Sequence, residues 1–213
     1  MMKLSIIFTL LWPFVVCFAP LQTAHHTAVV RLPNTTVRHV TPKGRVEDMD
    51  AWIQLSSDSL KKITGKSLFD YMEGVTRPDQ VHDNERYAVL SHGTQDDPIY
   101  CYFNKAALQQ FQWTENEIYS LPSRYSAPDG ADRTSRQIDV EQAIQQDLKE
   151  LKSVIRQTKH GDLFEMLNVL LWNVYDGKKR VGQTALYDRE LVRPIETKTV
   201  SNKNSNHKTN NEE

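Results

Sequence analysis

The run "DLFEMLNVLLWNVY", Asp162 to Tyr175, constrains this chain more than any other stretch. It is strongly apolar and long enough to be either a strand or a helix. Asp176-Gly177 follows at once, and then "RVGQTALYD". An Asp-Gly pair between two apolar runs is the signature of a tight hairpin turn, because glycine takes the positive φ such turns require. The run is therefore read as a strand, with "RVGQTALYD" as its antiparallel partner.

The stretches upstream supply the rest of a mixed fold. "YAVLS" (Tyr87 to Ser91) and "IYCYF" (Ile99 to Phe103) are short β-branched and aromatic runs across the turn "TQDDP", which predicts a second hairpin. Asn104 then stands where its side-chain oxygen accepts an N–H at the start of "KAALQQF", so a helix over Lys105 to Phe111 is expected. Ala107, Leu108 and Phe111 would share one face of it. Thr114 with Glu117 three residues on forms a capping box for a second short helix, limited by Pro122. Met49, Trp52, Ile53, Leu55, Leu60 and Ile63 follow a helical period that Gly65 ends. "GKSLFDYM" begins another short helix, and "VTRPDQVHDNER" reads as a polar connection. Ile138, Val140, Ile144, Leu148, Leu151 and Ile155 also keep a 3.6-residue spacing, which predicts helix through much of 135–155. The sum is an α+β domain with an antiparallel sheet.

Charge is unevenly distributed. Residues 1–46 carry five Lys/Arg and no acid, whereas 47–195 carry 24 acidic against 18 basic side chains, a net −6. That acidity argues against nucleic acid as a partner, since phosphate recognition needs a clustered basic face. Lys178-Lys179-Arg180 follows Asp176-Gly177 and reads as a solvated turn. The only cysteines are Cys17 and Cys101. They allow neither a disulfide framework nor a Cys/His zinc site.

Lys3 followed by the apolar Leu4 to Val16 has the form of a secretory signal, and is short for a membrane span. Val15 and Cys17 suit cleavage before Phe18. Residues 18–46 then contain five threonines, four Lys/Arg and no acid, the composition of a transit peptide. A signal segment (1–17), a transit-like segment (18–46), a folded domain (47–195) and a polar tail (196–213) are expected, with no membrane contact once the leader is removed. The tail has one apolar residue and cannot offset the entropy of ordering itself. An exported chain without disulfides points to an organelle reached by the secretory route. The junction Cys17-Phe18-Ala19-Pro20 resembles the Ala-Phe-Ala-Pro motif in the bipartite presequence of algae with complex plastids, such as diatoms. That resemblance implies import to the chloroplast stroma, with the secretory pathway as the alternative.

The middle resembles the MEKHLA domain, a relative of the PAS fold. The matching residues occur in order: "KKITGKSL", "AVLSHGTQDDPIYCYFNKAAL", "LPSRYSA", then Arg156, Thr158, Gly161 and Phe164, then "LLWNVYDGKKRVGQTALY". One departure is "IQQDLKELKSVIRQTKH" between Ala143 and Gly161, where the family has glycines and a tyrosine. The resemblance implies a PAS-like five-stranded antiparallel sheet with helices packed on one face. Such domains bind a small molecule between sheet and helices or pair with proteins through the other face.

Seven residues are candidates for contacting a ligand: Ser91, His92, Asn104, Arg124, Arg156, Trp172 and Asn173. His92 either hydrogen-bonds a ligand or is satisfied by turn backbone. Arg124 and Arg156 either clamp a carboxylate or phosphate, or form structural ion pairs. Asn104 is first a helix cap, and Trp172 and Asn173 must point to opposite faces of their strand. Cys101 lies on a strand, and "PSRYS" has no cysteine where flavin photoreceptors carry theirs, so a cysteinyl-flavin photocycle is not expected. The cofactor is unknown from sequence. No acid/base pair or metal cluster stands out, so an enzyme is not expected. The expectation is a PAS-like sensory or regulatory module that binds a small ligand in a plastid. Its alternative is a ligand-free interaction or dimerisation module, with a homodimer or a plastid protein as partner.

Overall fold

The structure, a computed structural model, describes residues 44–196. The expected signal segment, nearly all of the transit-like segment and the tail beyond Glu196 lie outside the described residues. Gly44 to Val46 already rest on the domain, where Val46 is buried and its N–H donates to the Cys101 carbonyl at 3.2 Å.

The N-terminal helix α1 (Met49–Thr64) is delimited as its caps dictate. The Asp48 side chain accepts from the Ala51 N–H at 2.9 Å, and Gly65 at φ 80° closes the helix onto the Lys61 carbonyl. A 3₁₀ turn at Leu68–Tyr71 follows. The stretch expected as a plain connection holds one helical turn, α2 (Pro78–His82), with proline at its first position. The side chain of Gln80 accepts from the Thr76 and Arg77 N–H groups and so caps it.

β1 (Tyr87–His92) and β2 (Tyr100–Phe103) form the first hairpin, and α3 (Lys105–Phe111) and α4 (Glu115–Ile118) follow. Asn104 joins the three elements. Its side-chain oxygen accepts from Ala107 N–H at 3.1 Å and Val89 N–H at 2.9 Å, while its amide donates to the Val81 and Tyr87 carbonyls at 3.0 and 2.8 Å. At α4 the expected capping box is present, with Glu117 accepting from the Thr114 N–H at 2.9 Å.

The stretch expected to be helical through 135–155 divides into α5 (Ala131–Gln146) and β3 (Leu148–Gln157). Asp147, at φ 63°, turns the chain between them. The apolar period that suggested one helix runs across this boundary. Ile138 and Ile144 are 48% and 37% exposed, and the helix instead buries Arg136, Val140 and Ala143. Leu148, Leu151 and Ile155 belong to the strand. Leu151 and Val154, three residues apart, both enter the helix-side core where Asn168 on the facing strand takes φ 53°.

β4 (Leu163–Asp176) and β5 (Lys179–Asp188) are the expected long hairpin. All pairings are antiparallel, in the order β2-β1-β5-β4-β3. The sheet has six strands, not five. β5 pairs only with Leu170–Asp176 of β4, so the start of β4 keeps one free edge. After a 3₁₀ turn at Arg189–Leu191, β6 (Val192–Pro194) fills that edge opposite Phe164–Met166.

A second detail differs from expectation, because helices lie on both faces. α3 and α5 cover the face bearing Leu90, Gln183 and Leu171. α1 covers the other, where Trp52 Nε1 donates to Ser91 Oγ at 3.0 Å and Trp172 Nε1 donates to the Ser56 carbonyl at 3.0 Å. Ser56, Ser91 and Thr184 hydroxyls link beneath the helix at 3.2 and 2.8 Å. Gly182 permits this approach, since a Cβ there would stand 2.7 Å from the His92 carbonyl and 2.8 Å from the Trp52 ring.

Asn104→Ala is expected to lower stability by about 3 kcal/mol, because it removes a cap and leaves buried backbone groups unpaired. Asn104→Asp is expected not to restore it, since a carboxylate would face the Val81 and Tyr87 carbonyls. Urea unfolding of the two variants checks both statements.

Candidate functional site

The packing of α5 on the sheet leaves a cavity of about 50 Å³. Its origin is the composition of the helix. Arg136, Val140 and Ala143 follow the i, i+4, i+7 stripe that faces the sheet, and only two of them are apolar. Val140 and Ala143 reach Leu171 and Ala185 but are too small to close the gap toward the first turns of the helix. Leu90, Phe111, Met166 and Val169 form apolar wall, and His92, Arg136, Arg156 and Gln183 contribute the polar groups.

Hydrogen bonds determine which polar atoms face this space. The amide nitrogen of Asn173 donates to the Ala143 and Ile144 carbonyls at 3.1 Å each and to Asp147 Oδ1 at 3.0 Å. Three acceptors fix that amide's orientation, so its oxygen points to Gln183. Gln183 Nε2 therefore donates to Asn173 Oδ1 at 3.0 Å and to the Val140 carbonyl at 3.2 Å. Gln183 Oε1 is left buried with no protein partner.

His92 is fixed by the same logic. Its Nδ1 lies 2.9 Å from the Gly93 carbonyl, which only accepts, so Nδ1 carries the proton. Burial, and then the charge of Arg136, push the ring down to a pKa of about 3. The ring is thus neutral and Nε2 is a bare acceptor, buried and without a partner. Gln183 makes no hydrogen bond to it in this geometry, yet lies near enough to favour a charged ring. His92 and Gln183 thus line one cavity, and each brings to it an acceptor that carries no proton.

The two arginines are the other polar feature. Arg136 is 4% exposed, donates from Nη2 to Ser123 Oγ, and has no partner for Nη1. Arg156 donates to the Ile155 carbonyl at 2.7 Å. Neither has a carboxylate within ion-pair distance among the described residues. Burial depresses both guanidinium groups, that of Arg156 to about 10. Asp139 also lines the cavity, but Lys149 Nζ holds it at 2.6 Å. Arg156 belongs to two spaces at once, the cavity and a surface cleft between α5 and β3 that Asp132, Ser135 and Ser153 border.

Of the seven sequence candidates, the structure brings His92 and Arg156 to the cavity. Asn173 stands behind it and orients Gln183. Ser91 and Trp172 lie on the α1 side of the sheet, and Asn104 has its hydrogen-bonding groups engaged by α3 and β1. Arg124 is at the surface, ion-paired with Asp97 and stacked 4.6 Å over the Tyr125 ring. Cys101 sits in the core shared with α1, where burial pushes its thiol up. Sequence reasoning missed Arg136 and Gln183. The available signal for Arg136 was its place on one stripe with Val140 and Ala143. Gln183 is a polar residue within the apolar closing strand. Among the described residues no group of His, Cys, Asp and Glu side chains is placed to hold a metal ion.

The chain matches the MEKHLA domain over residues 50–190. Among solved structures it is similar to the PAS domain of a protein from Colwellia psychrerythraea, at 15% identity over 51% of this chain and 86% of that one, with a TM-score of 0.42. It is also similar to the LOV protein of Rhodobacter sphaeroides, at 16% identity over 51% of this chain and 62% of that one, with a TM-score of 0.42. A search of curated proteins found no match.

The state of His92 has a measurable consequence. A histidine in the unfolded chain titrates near the usual 6.5, but His92 in the fold titrates at about 3. As pH falls from 6.5 toward 3, the unfolded chain takes up a proton that the folded chain refuses, so stability falls, by at most about 1.4 kcal/mol per pH unit. Above 6.5 this group adds no pH dependence. Urea unfolding between pH 7.5 and 5 is expected to show a steeper loss in the wild type than in His92→Gln. Equal slopes would show that the ring is not buried in its neutral form.

Proposed function

The chain belongs to the MEKHLA domain family, and we propose that its domain is a PAS-type sensory or regulatory module that binds a small molecule between the sheet and α5. One observation carries this reading: His92 Nε2, Gln183 Oε1 and Arg136 Nη1, all buried and without protein partners, line a single cavity. Buried polar atoms are nearly always paired, and exceptions ask for a reason. Apolar walls with a few aimed polar groups are the usual make-up of a small-molecule site.

The role proposed is binding and not catalysis. The wall supplies hydrogen-bonding and cationic groups, and its Ser126 hydroxyl is already engaged, donating to the Ser123 carbonyl at 2.8 Å. The alternative, a ligand-free dimerisation module, requires the opposite sheet face, and α1 covers the centre of that face. A groove bordered by Tyr71, Tyr87, Leu170, Leu186 and Leu191 remains open beyond it.

Native mass spectrometry with an absorption spectrum, on the protein purified in processed form from an expressing algal host, separates these readings. An added mass is expected. A clean apo mass with a dimer peak would overturn ligand binding in favour of the interaction module.

The place of action proposed is a plastid, on the strength of Phe18-Ala19-Pro20 and the acid-free stretch that follows. A fluorescent fusion of Met1–Arg45 is expected to reach the plastid, and Phe18→Ala is expected to hold it in the secretory pathway. Identical destinations for both fusions would sink the plastid reading.

A further inference from the structure

The polar groups of the cavity also state what kind of molecule they would accept. His92 Nε2 and Gln183 Oε1 are both acceptors whose donor sites are already committed, to the Gly93 carbonyl and to Asn173 and Val140. A ligand that meets them must bring an O–H or N–H. Arg136 and Arg156 present only donors and a positive charge. The acid on the same wall, Asp139, is already engaged by Lys149. Arg136 is buried and Arg156 half-buried, and the carboxylate that favours their charge, Asp139, is shared with Lys149, so a bound anion would reduce the remaining cost of holding two guanidinium groups there. Arginine is also the side chain whose planar fork matches a carboxylate.

Size narrows the class further. An apolar cavity of roughly 150 Å³ holds benzene, whereas this one measures about 50 Å³. The occupant is therefore a molecule of a few non-hydrogen atoms. Arg156 and Asp139 line both the cavity and the α5–β3 cleft.

Resting on the ligand-site reading above, we infer that this cavity takes a small carboxylate-type anion that carries its own hydroxyl donor, in the range from hydrogencarbonate to glycolate. Arg136 and Arg156 hold the anionic oxygens, and His92 Nε2 and Gln183 Oε1 share the hydroxyl proton. Recognition needs both features together. An anion without a hydroxyl leaves the two acceptors unmatched, and a neutral hydroxylated molecule leaves the two charges unmatched. Sites built to hydrogen-bond a hydroxyl discriminate strongly against analogues lacking it.

The test is thermal unfolding of the processed protein at constant ionic strength with four probes: hydrogencarbonate, glycolate, acetate and glycolamide. Glycolate or hydrogencarbonate is expected to raise Tm by a few degrees through binding to the folded state alone. Acetate and glycolamide are expected to need at least about tenfold higher concentration for the same shift. Arg156→Gln, at the rim of the cavity, is expected to keep a wild-type circular dichroism spectrum and to lose the preference for glycolate over glycolamide. Arg136→Gln is expected to do the same if it folds. Glycolamide matching glycolate would overturn the anionic class, and acetate matching glycolate would overturn the shared hydroxyl. If no probe shifts Tm while native mass spectrometry finds a different bound molecule, this inference fails and the ligand-site reading stands. If no probe acts and the mass is clean, both fail.

Discussion

The register of β4 on β5 is the constraint on which the rest of the structure depends. Trp172 stands opposite Thr184, and Asn173 opposite Gln183. Successive residues of a strand point to opposite faces, so these adjacent pairs serve different layers. The first pair reaches α1 through the Ser56 carbonyl and hydroxyl. The second pair reaches α5 through the Val140, Ala143 and Ile144 carbonyls. A slip of one residue would turn the tryptophan toward the cavity and the asparagine toward α1, and both helices would lose their attachment. The Asp176-Gly177 turn holds that register from one end, and β6, by occupying the other half of β4, holds it from the other.

The two faces are finished differently. On the α1 side the polar groups of Trp52, Ser56, Ser91, Trp172 and Thr184 satisfy one another. On the α5 side they do not: His92, Gln183 and Arg136 each keep an unmatched atom. A protein shaped for stability alone would close this space with a larger apolar residue in place of Val140 or Ala143, and would replace Arg136. Departures of this kind concentrate where a fold gives up stability for a task.

The legible parts of the fold were those governed by neighbours in sequence. Asn104, the Thr114–Glu117 box, the Gly65 stop and the Asp176-Gly177 turn each act within a few residues, and each is found where expected. The helix expected from 135 is present as far as Gln146, and the misread segment was Leu148 to Ile155, which is strand. Apolar residues at 138, 140, 144, 148, 151 and 155 keep a helical interval by coincidence, across a helix and the strand after it. Burial sorted them, since Ile138 and Ile144 face outward while Leu151 faces the core. The candidate site was legible only in part. His92 and Arg156 were named from their residue types, but Arg136 and Gln183 look like surface residues until another element is laid on them.

By itself the sequence determined the α+β class, the main helices and hairpins, and which of Trp172 and Asn173 must part company across the sheet. Caps and turns are local properties and can be read without the fold, whereas an apolar period misleads where it happens to run on from a helix into the next strand. Only the tertiary structure decided which polar residues would be left unmatched. Whether Gln183 Oε1 or His92 Nε2 finds a partner depends on Gly93, Asn173 and the α5 carbonyls arriving from distant parts of the chain. The positive character of the cavity was decided there too, because Lys149 engages Asp139 and the two arginines keep no acid of their own. Those are outcomes of packing, where each donor and acceptor competes for a limited set of partners that no local pattern in the chain specifies.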